Sequence, residues 1–273
     1  MSLAFQTFGG NAHGAGEASG DSPDSSRTIV LLHGLFGSGD NLRLLARGLE
    51  SRYAVVVPDL PNHGMSPHID SSTHEKMVEV IEHFIDEQGF PNPILAGHSI
   101  GGKLAMLMAL RHPGRYPAVV SIDMAPRRYE ASHREIMAAM RAMPLHTVHI
   151  RKDADQLLSS AVPDAAVRAF LLKNLVRNGE EFQWRLNLDA IANDYDSLLG
   201  WDPPESSYNG PALFVGGERS RYLQAHRDTE EIRRFFPTAT ITMIPDAGHW
   251  LHADKPEELL AIMNRFFSGF EQP

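Results

Sequence analysis

The chain has 273 residues, 42% of them hydrophobic and 22% charged, which is the composition of a globular protein with a sizeable core. Its formal net charge of -9 leaves no basic surplus for phosphates, so we expect no nucleic-acid partner. The absence of cysteine excludes disulfides, thiolate metal sites and a cysteine nucleophile. No apolar run is long enough to span a bilayer and residues 1–5 do not resemble a signal peptide, so we expect a cytoplasmic protein.

Strand and helix patterns alternate along most of the chain. Residues 3–8 predict a first strand, and residues 9–26 predict a long polar loop. Further strands are predicted at 28–32, 53–57, 94–96, 118–122, 212–215 and 238–244, and helices at 40–50, 73–88, 101–112 and 256–267. Such alternation is typical of an α/β fold, in which a mostly parallel sheet is covered by helices on both faces.

The alternation stops between residues 127 and 203. This stretch is helical in pattern and rich in methionine and aromatic residues. We interpret it as a helical cap, so that residues 1–126 and 204–273 form the core and residues 127–203 the insertion. The alternative is a purely structural helical subdomain. Ligands of such sheets bind at the carboxyl ends of the strands, which favours a cap over a pocket.

A Gly-x-Ser-x-Gly motif lies between a predicted strand and a predicted helix. Gly97 and Gly101 flank Ser99 at a spacing that permits a sharp turn. This is the context of a nucleophile elbow, where a strained turn exposes the serine hydroxyl at the start of a helix. The motif alone is common, and its flanks make it informative. Ser99 is therefore the predicted nucleophile.

A serine nucleophile needs a base to accept its proton. In enzymes that use a nucleophile elbow, the base is a histidine in the loop after the last strand. His249 lies between the last predicted strand and the last predicted helix. Its position distinguishes it from the other histidines of the chain, so His249 is the predicted base. A loop histidine that only packs is the alternative.

The base needs an acid on its second ring nitrogen. The usual place for it is the loop after the next-to-last strand, which here offers Glu218 and Ser220 but no aspartate. One strand earlier, Asp123 comes just after a strand, on the same edge as Ser99. We predict that Asp123 is the acid, that Ser220 is an additional hydrogen-bonding partner, and that Glu218 is the reserve candidate. A turn or helix-cap role is the alternative for Asp123.

The tetrahedral intermediate of acyl transfer needs backbone N–H donors for its oxyanion. One donor should be Ile100, the residue after the nucleophile. The other should come from the loop after the 28–32 strand, where we predict Leu35, with Phe36 close behind. We expect His33 in the same loop to be structural.

Two other classes of function compete with a hydrolase. Gly34, Gly37 and Gly39 follow a strand, and Asp59 ends the next one, which resembles a dinucleotide fingerprint with altered spacing. That interpretation leaves Ser99 unexplained. A catalytically inactive hydrolase fold used as a binding module is the other alternative. The sequence shows no metal-binding spacing such as His-Glu-x-x-His, and we expect neither a metal nor a cofactor.

The same residues resemble the α/β-hydrolase superfamily over nearly the whole chain, and within it the YbfF-type bacterial esterases and their mitochondrial relatives. Six stretches carry the resemblance: His33 to Ser38 with Asp40 and Asn41, Asn62 to Gly64, Gly97 to Lys103, Asp123 to Pro126, Trp184 and Arg185 with Asn187 and Leu188, and Gly248 to Trp250. In that subgroup the acid stands where Asp123 does, and a serine occupies the site of Ser220. We expect four residues of these stretches to contact substrate: Phe36, Met124, Trp184 and Trp250.

The resemblance implies hydrolysis of small-molecule esters or thioesters with short to medium acyl groups under a small helical cap. The expected enzyme is a carboxylesterase-type serine hydrolase with a Ser-His-Asp triad. Lyases, haloperoxidases and C–C hydrolases share the fold and stay open as alternatives. The sequence does not indicate an oligomeric state.

Overall fold

The computed structural model describes residues 2–9, 28–90 and 92–269, so the predicted polar loop lies outside the described residues apart from Gly9. Nine strands are found in this part of the chain: β1 (Phe5–Phe8), β2 (Thr28–Leu32), β3 (Ala54–Pro58), β4 (Ile94–His98), β5 (Val119–Ile122), β6 (Leu175–Asn178), β7 (Glu181–Trp184), β8 (Ala212–Gly217) and β9 (Thr240–Ile244). Eleven α-helices accompany them: α1 (Arg43–Leu49), α2 (His74–Glu87), α3 (Ile100–Arg111), α4 (Arg134–Ala142), α5 (Arg151–Leu158), α6 (Ala165–Leu172), α7 (Leu188–Asn193), α8 (Tyr195–Leu199), α9 (Ala225–Phe235), α10 (Leu251–Asp254) and α11 (Pro256–Ser268).

Seven of the strands form one sheet in the order β1-β3-β2-β4-β5-β8-β9. The β1 strand is antiparallel to β3, and all other pairs are parallel. The carboxyl ends of β2, β4, β5, β8 and β9 therefore lie along one edge. Loops that follow these strands meet at that edge, which is where the candidate site forms.

Both faces of the sheet are buried. Along β2, alternate side chains enter opposite clusters, because successive residues of a strand point to opposite faces. Ile29 and Leu31 pack with residues of α1 and α11, whereas Val30 and Leu32 pack on the side of α2 and α3. The five central strands of the sheet, β3, β2, β4, β5 and β8, are buried along their whole length. Burial on both faces explains their continuous apolar sequences.

The segment between β5 and β8 contains helices α4 to α8 and a small antiparallel sheet formed by β6 and β7. The hairpin departs from the prediction of a purely helical stretch. Its two-residue turn is Gly179-Glu180, and Gly179 has a φ of 64°, a conformation that favours glycine at the first turn position of a hairpin. The interpretation of residues 127–203 as a cap stays a proposal.

The α/β fold with a mostly parallel sheet and helices on both faces is confirmed. The predicted strands and helices of the core are present with shifted ends. The α9 helix is an addition, because its strongly charged sequence buries only a narrow stripe containing Ile232 and Phe235. Among the described residues, no helix is long and apolar enough to cross a membrane.

Candidate active site

A sharp turn joins β4 to α3 and carries Ser99. Its backbone has a φ of 55° and a ψ of -122°, a region that non-glycine residues occupy only under constraint. A Cβ atom on Gly97 would lie 2.2 Å from the backbone of Gly101, and one on Gly101 would lie 2.4 Å from the Leu32 oxygen. The two glycines therefore allow the turn to close against β2. The serine hydroxyl stands at the amino end of α3.

Side chains from three loops meet at this turn. The His249 Nε2 atom lies 3.0 Å from Ser99 Oγ, where it can accept the hydroxyl proton. The His249 Nδ1 atom lies 2.6 Å from Asp123 Oδ2, so that Nδ1–H donates to the carboxylate. The predicted nucleophile, base and acid are thus in contact, in the order that serine hydrolysis requires.

Asp123 follows β5 directly and is fully buried, with a φ of 52°. Besides His249, its carboxylate accepts hydrogen bonds from the Ser220 hydroxyl and, at 3.3 Å, from the Gly217 N–H. Burial raises the pKa of Asp123 to about 7, while hydrogen bonds from Ser220, Gly217 and Leu223 act in the opposite direction. Because its neighbours all donate, the site accommodates the ionised carboxylate.

The loop after β8 supplies Ser220, which is buried beside the acid. Glu218, the reserve candidate for the acid, is exposed in the same loop, and its N–H donates to the Ile244 oxygen at 3.0 Å. The carboxylate bonded to His249 is that of Asp123. The geometry therefore favours Asp123 over Glu218.

The loop that carries His249 is held at two points. The Gly248 N–H donates to Asp254 Oδ2 at 2.8 Å, and the His249 oxygen accepts a hydrogen bond from His98 Nε2 at 2.8 Å. Burial, with a smaller effect of His133, lowers the pKa of His249 to about 3. The imidazole is therefore neutral at pH 7, which is the form that can accept a proton.

Backbone donors for an oxyanion lie on both sides of Ser99. Ile100 is the first residue of α3, so its N–H has no partner within the helix. Leu35 is the second residue of a tight turn that is closed by a hydrogen bond from the Gly37 N–H to the Gly34 oxygen at 3.0 Å. The turn does not use the Leu35 N–H, which stays available. These placements are consistent with the predicted oxyanion donors.

His33 fixes this turn from inside the core. It is fully buried; its Nδ1–H donates to the Gly34 oxygen at 2.8 Å, and its Nε2 accepts from the Leu60 N–H at 2.9 Å. Burial lowers the pKa of His33 to about 4. The neutral ring is the form that can donate and accept at once, as expected for a structural histidine.

A cavity of about 680 Å³ opens above Ser99. Phe36 and Trp250, two of the predicted substrate contacts, line it. Its other walls are mostly apolar and come from α1, α4 and α6, with Leu44, Ile136, Val167, Phe170 and Leu171 among them. The cavity is therefore suited to an apolar group bound next to the serine.

The other two predicted contacts lie elsewhere. Met124 is buried, and its backbone oxygen accepts a hydrogen bond from the Ser121 hydroxyl at 2.8 Å. Trp184 ends β7, and its Nε1–H donates to the Met140 oxygen at 2.9 Å. Neither residue lines the cavity above Ser99. Their positions in matching stretches do not by themselves indicate contact with substrate.

Two residues that line or support the site were not predicted. Tyr222 lines the cavity beside His249. Asn174, just before β6, is buried, and its Nδ2 donates to the Phe36 oxygen at 2.7 Å. Tyr222 follows Ser220 by two residues, but no local motif marks its ring, whereas Asn174 reaches the site from a distant part of the chain. Within the described ranges, no group of three or more histidine, aspartate or glutamate side chains could hold a metal ion.

Comparison with known proteins shows the family of this chain. Residues 27–256 match the family model described as the alpha/beta hydrolase fold. The chain belongs to the α/β-hydrolase family. An α/β-hydrolase described as an esterase from a marine microorganism has 32% sequence identity and a TM-score of 0.88, over 97% of this chain and 99% of that one.

Curated relatives place this α/β-hydrolase among named esterases and lipases. The sn-1-specific diacylglycerol lipase ABHD11 of Mus musculus is 41% identical over 248 residues, which cover 88% of this chain and 80% of the relative. Esterase YbfF of Escherichia coli is 35% identical over 242 residues, covering 88% of this chain and 92% of the relative. The resemblance to YbfF-type esterases is confirmed, and the chain is a serine-hydrolase-type enzyme of the esterase and lipase type.

Proposed function

We propose that this enzyme cleaves carboxylic esters with short to medium acyl chains, with acyl thioesters as a second substrate class, through an acyl-enzyme on Ser99. The observation that carries the proposal is the continuous chain of hydrogen bonds from Ser99 through His249 to Asp123. The apolar cavity above Ser99 and the names of the relatives support it. The lyase, haloperoxidase and C–C hydrolase alternatives share the fold, but no observed feature favours them.

The first half of the reaction forms the acyl-enzyme. Ser99 Oγ attacks the ester carbonyl carbon while its proton passes to His249 Nε2. The carbonyl electron pair moves onto the oxygen, which the Leu35 and Ile100 N–H groups stabilise. Asp123 stabilises the imidazolium through Nδ1–H. When the carbonyl reforms, the bond to the leaving oxygen breaks, and His249 returns the proton to the departing alcohol.

The second half releases the acid. Water attacks the acyl carbon and gives a proton to His249 Nε2, and the second tetrahedral intermediate expels Ser99 Oγ, which takes that proton back. The products are a carboxylic acid and an alcohol, or a thiol from a thioester. Each step uses only residues of this chain, water and substrate.

The decisive variant is Ser99→Ala. We expect it to fold normally and to lose activity toward p-nitrophenyl acetate and butyrate by on the order of 10⁶-fold in kcat, because it removes the nucleophile. Fluorophosphonate labelling should disappear with it. The measurement is turnover alongside a thermal melt, on a panel of esters and acyl-CoA thioesters of increasing chain length.

Ser159→Ala is the matched control, because it makes the same change at an exposed serine at the end of α5. It should keep full activity and labelling. Activity retained in folded Ser99→Ala would exclude the proposed mechanism.

A further inference from the structure

One flat face of the His249 imidazole is covered by an aromatic ring. The Tyr222 ring stacks on it, with centroids 3.8 Å apart and planes 19° apart. The His98 ring also contacts the imidazole, with centroids 4.7 Å apart and a tilt of 41°. The edges of the imidazole point to Asp123 and Ser99. Rotation of the imidazole out of the plane that joins Asp123 and Ser99 would make it collide with the Tyr222 ring.

The position of Tyr222 is fixed by the same segment that holds the acid. Its N–H donates to Ser220 Oγ at 3.1 Å, and Ser220 in turn donates to Asp123. The Tyr222 oxygen accepts hydrogen bonds from the Tyr129 hydroxyl at 2.8 Å and from Arg127 Nη2 at 3.1 Å. The stacked ring is therefore anchored at its backbone rather than held by the contact with His249 alone.

Among the described residues, Asp123 is the one ionised group that the structure places against His249, and the other nearby groups do little to stabilise a positive charge on its ring. Three further histidines lie near His249: His98 from β4, His133 before α4, and His252 from α10, whose ring contacts that of His98. Burial lowers the pKa of each of them, to about 3 for His98 and about 2 for His252, so they are neutral at pH 7. The face of a tyrosine ring is electron-rich and attracts a cation placed over it.

We propose that Tyr222 is a positioning residue that keeps the His249 imidazole aligned between Asp123 and Ser99 and stabilises the imidazolium formed when Ser99 loses its proton. The inference rests on the proposed serine-hydrolase function. It assigns to Tyr222 two separable effects. The ring restricts the orientation of the base, and its π face raises the basicity of the base.

The test compares Tyr222→Leu with Tyr222→Phe through the pH dependence of kcat/KM for p-nitrophenyl butyrate. Loss of the ring removes stabilisation of the imidazolium, so the pKa of His249 falls and the acidic limb of the profile should move to lower pH by about 0.5 unit. The value of kcat should fall by about tenfold, because the base loses its alignment. Tyr222→Phe keeps the ring and should restore both values to near those of the wild type.

Tyr208→Leu is the matched control, since Tyr208 is a buried tyrosine that packs on Phe236 away from the site. It should lower the melting temperature without moving the limb. An acidic limb that stays in place in Tyr222→Leu, or moves to higher pH, overturns the proposal whatever happens to kcat.

A second measurement separates this inference from the proposed function. The pKa of His249 is followed by NMR of its ring, without substrate, in proteins with phenylalanine or progressively fluorinated phenylalanine at position 222. Fluorine withdraws electron density from the ring face but preserves packing, so the pKa should fall stepwise with each fluorine. A constant pKa overturns the inference even if esters are hydrolysed, and failure of ester hydrolysis with a stepwise pKa would count against the proposed function alone.

Discussion

Three residues at the candidate site have backbone conformations that non-glycine residues rarely adopt. Ser99, Asp123 and Phe36 of the oxyanion turn all have positive φ without being glycine. Each such conformation costs about 1–3 kcal/mol and persists because surrounding contacts fix it. The Ser99 N–H donates to the Ile122 oxygen at 3.0 Å, and the Asp123 N–H donates to the Val215 oxygen at 2.7 Å. The sheet itself therefore holds Ser99 and Asp123 in place.

The acid is assigned by a pair of substitutions. Asp123→Asn should lower kcat by about 10⁴-fold, because an amide cannot stabilise the imidazolium or select the required tautomer of His249. Glu218→Gln removes the charge of the exposed neighbour in the Ser220 loop and should change kcat by less than about twofold. Steady-state kinetics on p-nitrophenyl butyrate measures both. A large loss in the glutamate variant with a small one in the aspartate variant would reassign the acid.

At the residue level, the sequence was sufficient wherever a residue's place followed from strand order. The positions of Ser99 and His249 were predictable, because Ser99 directly follows β4 and His249 lies in the loop between β9 and α10. Asp123 was predictable because it ends the strand next to the nucleophile's strand. Trp184 shows the limit of this reasoning, since its side chain bonds to Met140 rather than lining the cavity. The direction in which a side chain points depends on its packing partners, and these cannot be identified from the local sequence.

Individual elements connect the segment between β5 and β8 to the catalytic edge. Asn174 donates to the Phe36 oxygen of the oxyanion turn. Lys103 of α3 is buried, and its Nζ donates to the oxygens at the end of α8, with the Gly200 oxygen at 2.7 Å. Burial lowers the pKa of Lys103 to about 7. The insertion thus contacts both the oxyanion turn and the helix that follows the nucleophile.

The contact with the oxyanion turn has a measurable consequence. Asn174→Leu removes the donor that fixes the Phe36 peptide, so the Leu35 N–H should be less well placed for the transition state. We expect kcat to fall on the order of tenfold, less than the loss of a whole oxyanion donor, while KM changes by less than about twofold. Steady-state kinetics with p-nitrophenyl butyrate provides the measurement.

Asn187→Leu is the corresponding control. Asn187 also joins the insertion to the core, through hydrogen bonds at 3.1 Å to Asn62 Oδ1 and the Ile69 oxygen, but away from the oxyanion turn. It should lower stability to a similar extent and leave kcat near that of the wild type. Equal losses of kcat in both variants would show that Asn174 acts only through stability.

Among the elements, those with strong periodicity or a strand-turn-helix context were predictable, and those stabilised by distant packing were not. The β6–β7 hairpin escaped prediction although the Asn178-Gly179 pair is a turn signal, because its strands are short and half-exposed. The α9 helix escaped because its charged side chains hide a two-residue apolar stripe. Asp228 in that helix is buried, where it forms ion pairs with Arg127 and Arg227 and accepts a hydrogen bond from the Gln224 N–H at 2.8 Å.

The molecule as a whole contains several histidines that fold in the neutral state. His33, His63 and His98 are almost fully buried, and burial lowers their pKa values from 6.5 to about 4, 3 and 3. The unfolded chain binds protons at these sites below pH 6.5, whereas the folded chain does not. These histidines therefore leave the free energy of unfolding unchanged above pH 6.5, and they lower it progressively as the pH falls toward 4.

This predicts a steep loss of stability in mild acid. Each such histidine should lower the free energy of unfolding by about 1.4 kcal/mol for each pH unit below 6.5. Urea denaturation at pH 7, 6 and 5 measures the slope. His63→Leu removes one titrating group and should reduce the slope by about one proton. An unchanged slope in that variant would show that His63 already binds its proton in the native state.

The insertion leaves the sheet just after Asp123 and returns to β8, the strand beside β5. Both ends of this segment join adjacent strands. Its exchange for a foreign segment therefore leaves β4, which precedes Ser99, and β9, which precedes His249, unchanged. The upstream junction of such a chimaera has to fall beyond Arg127, whose guanidinium holds Asp228 of α9 at 3.1 Å. Because Asn174 of this segment donates to the Phe36 oxygen and Tyr129 donates to the Tyr222 oxygen, a foreign segment has to keep both donors. Residues of α4 and α6 line the cavity above Ser99, so we expect such a chimaera to accept differently shaped ligands.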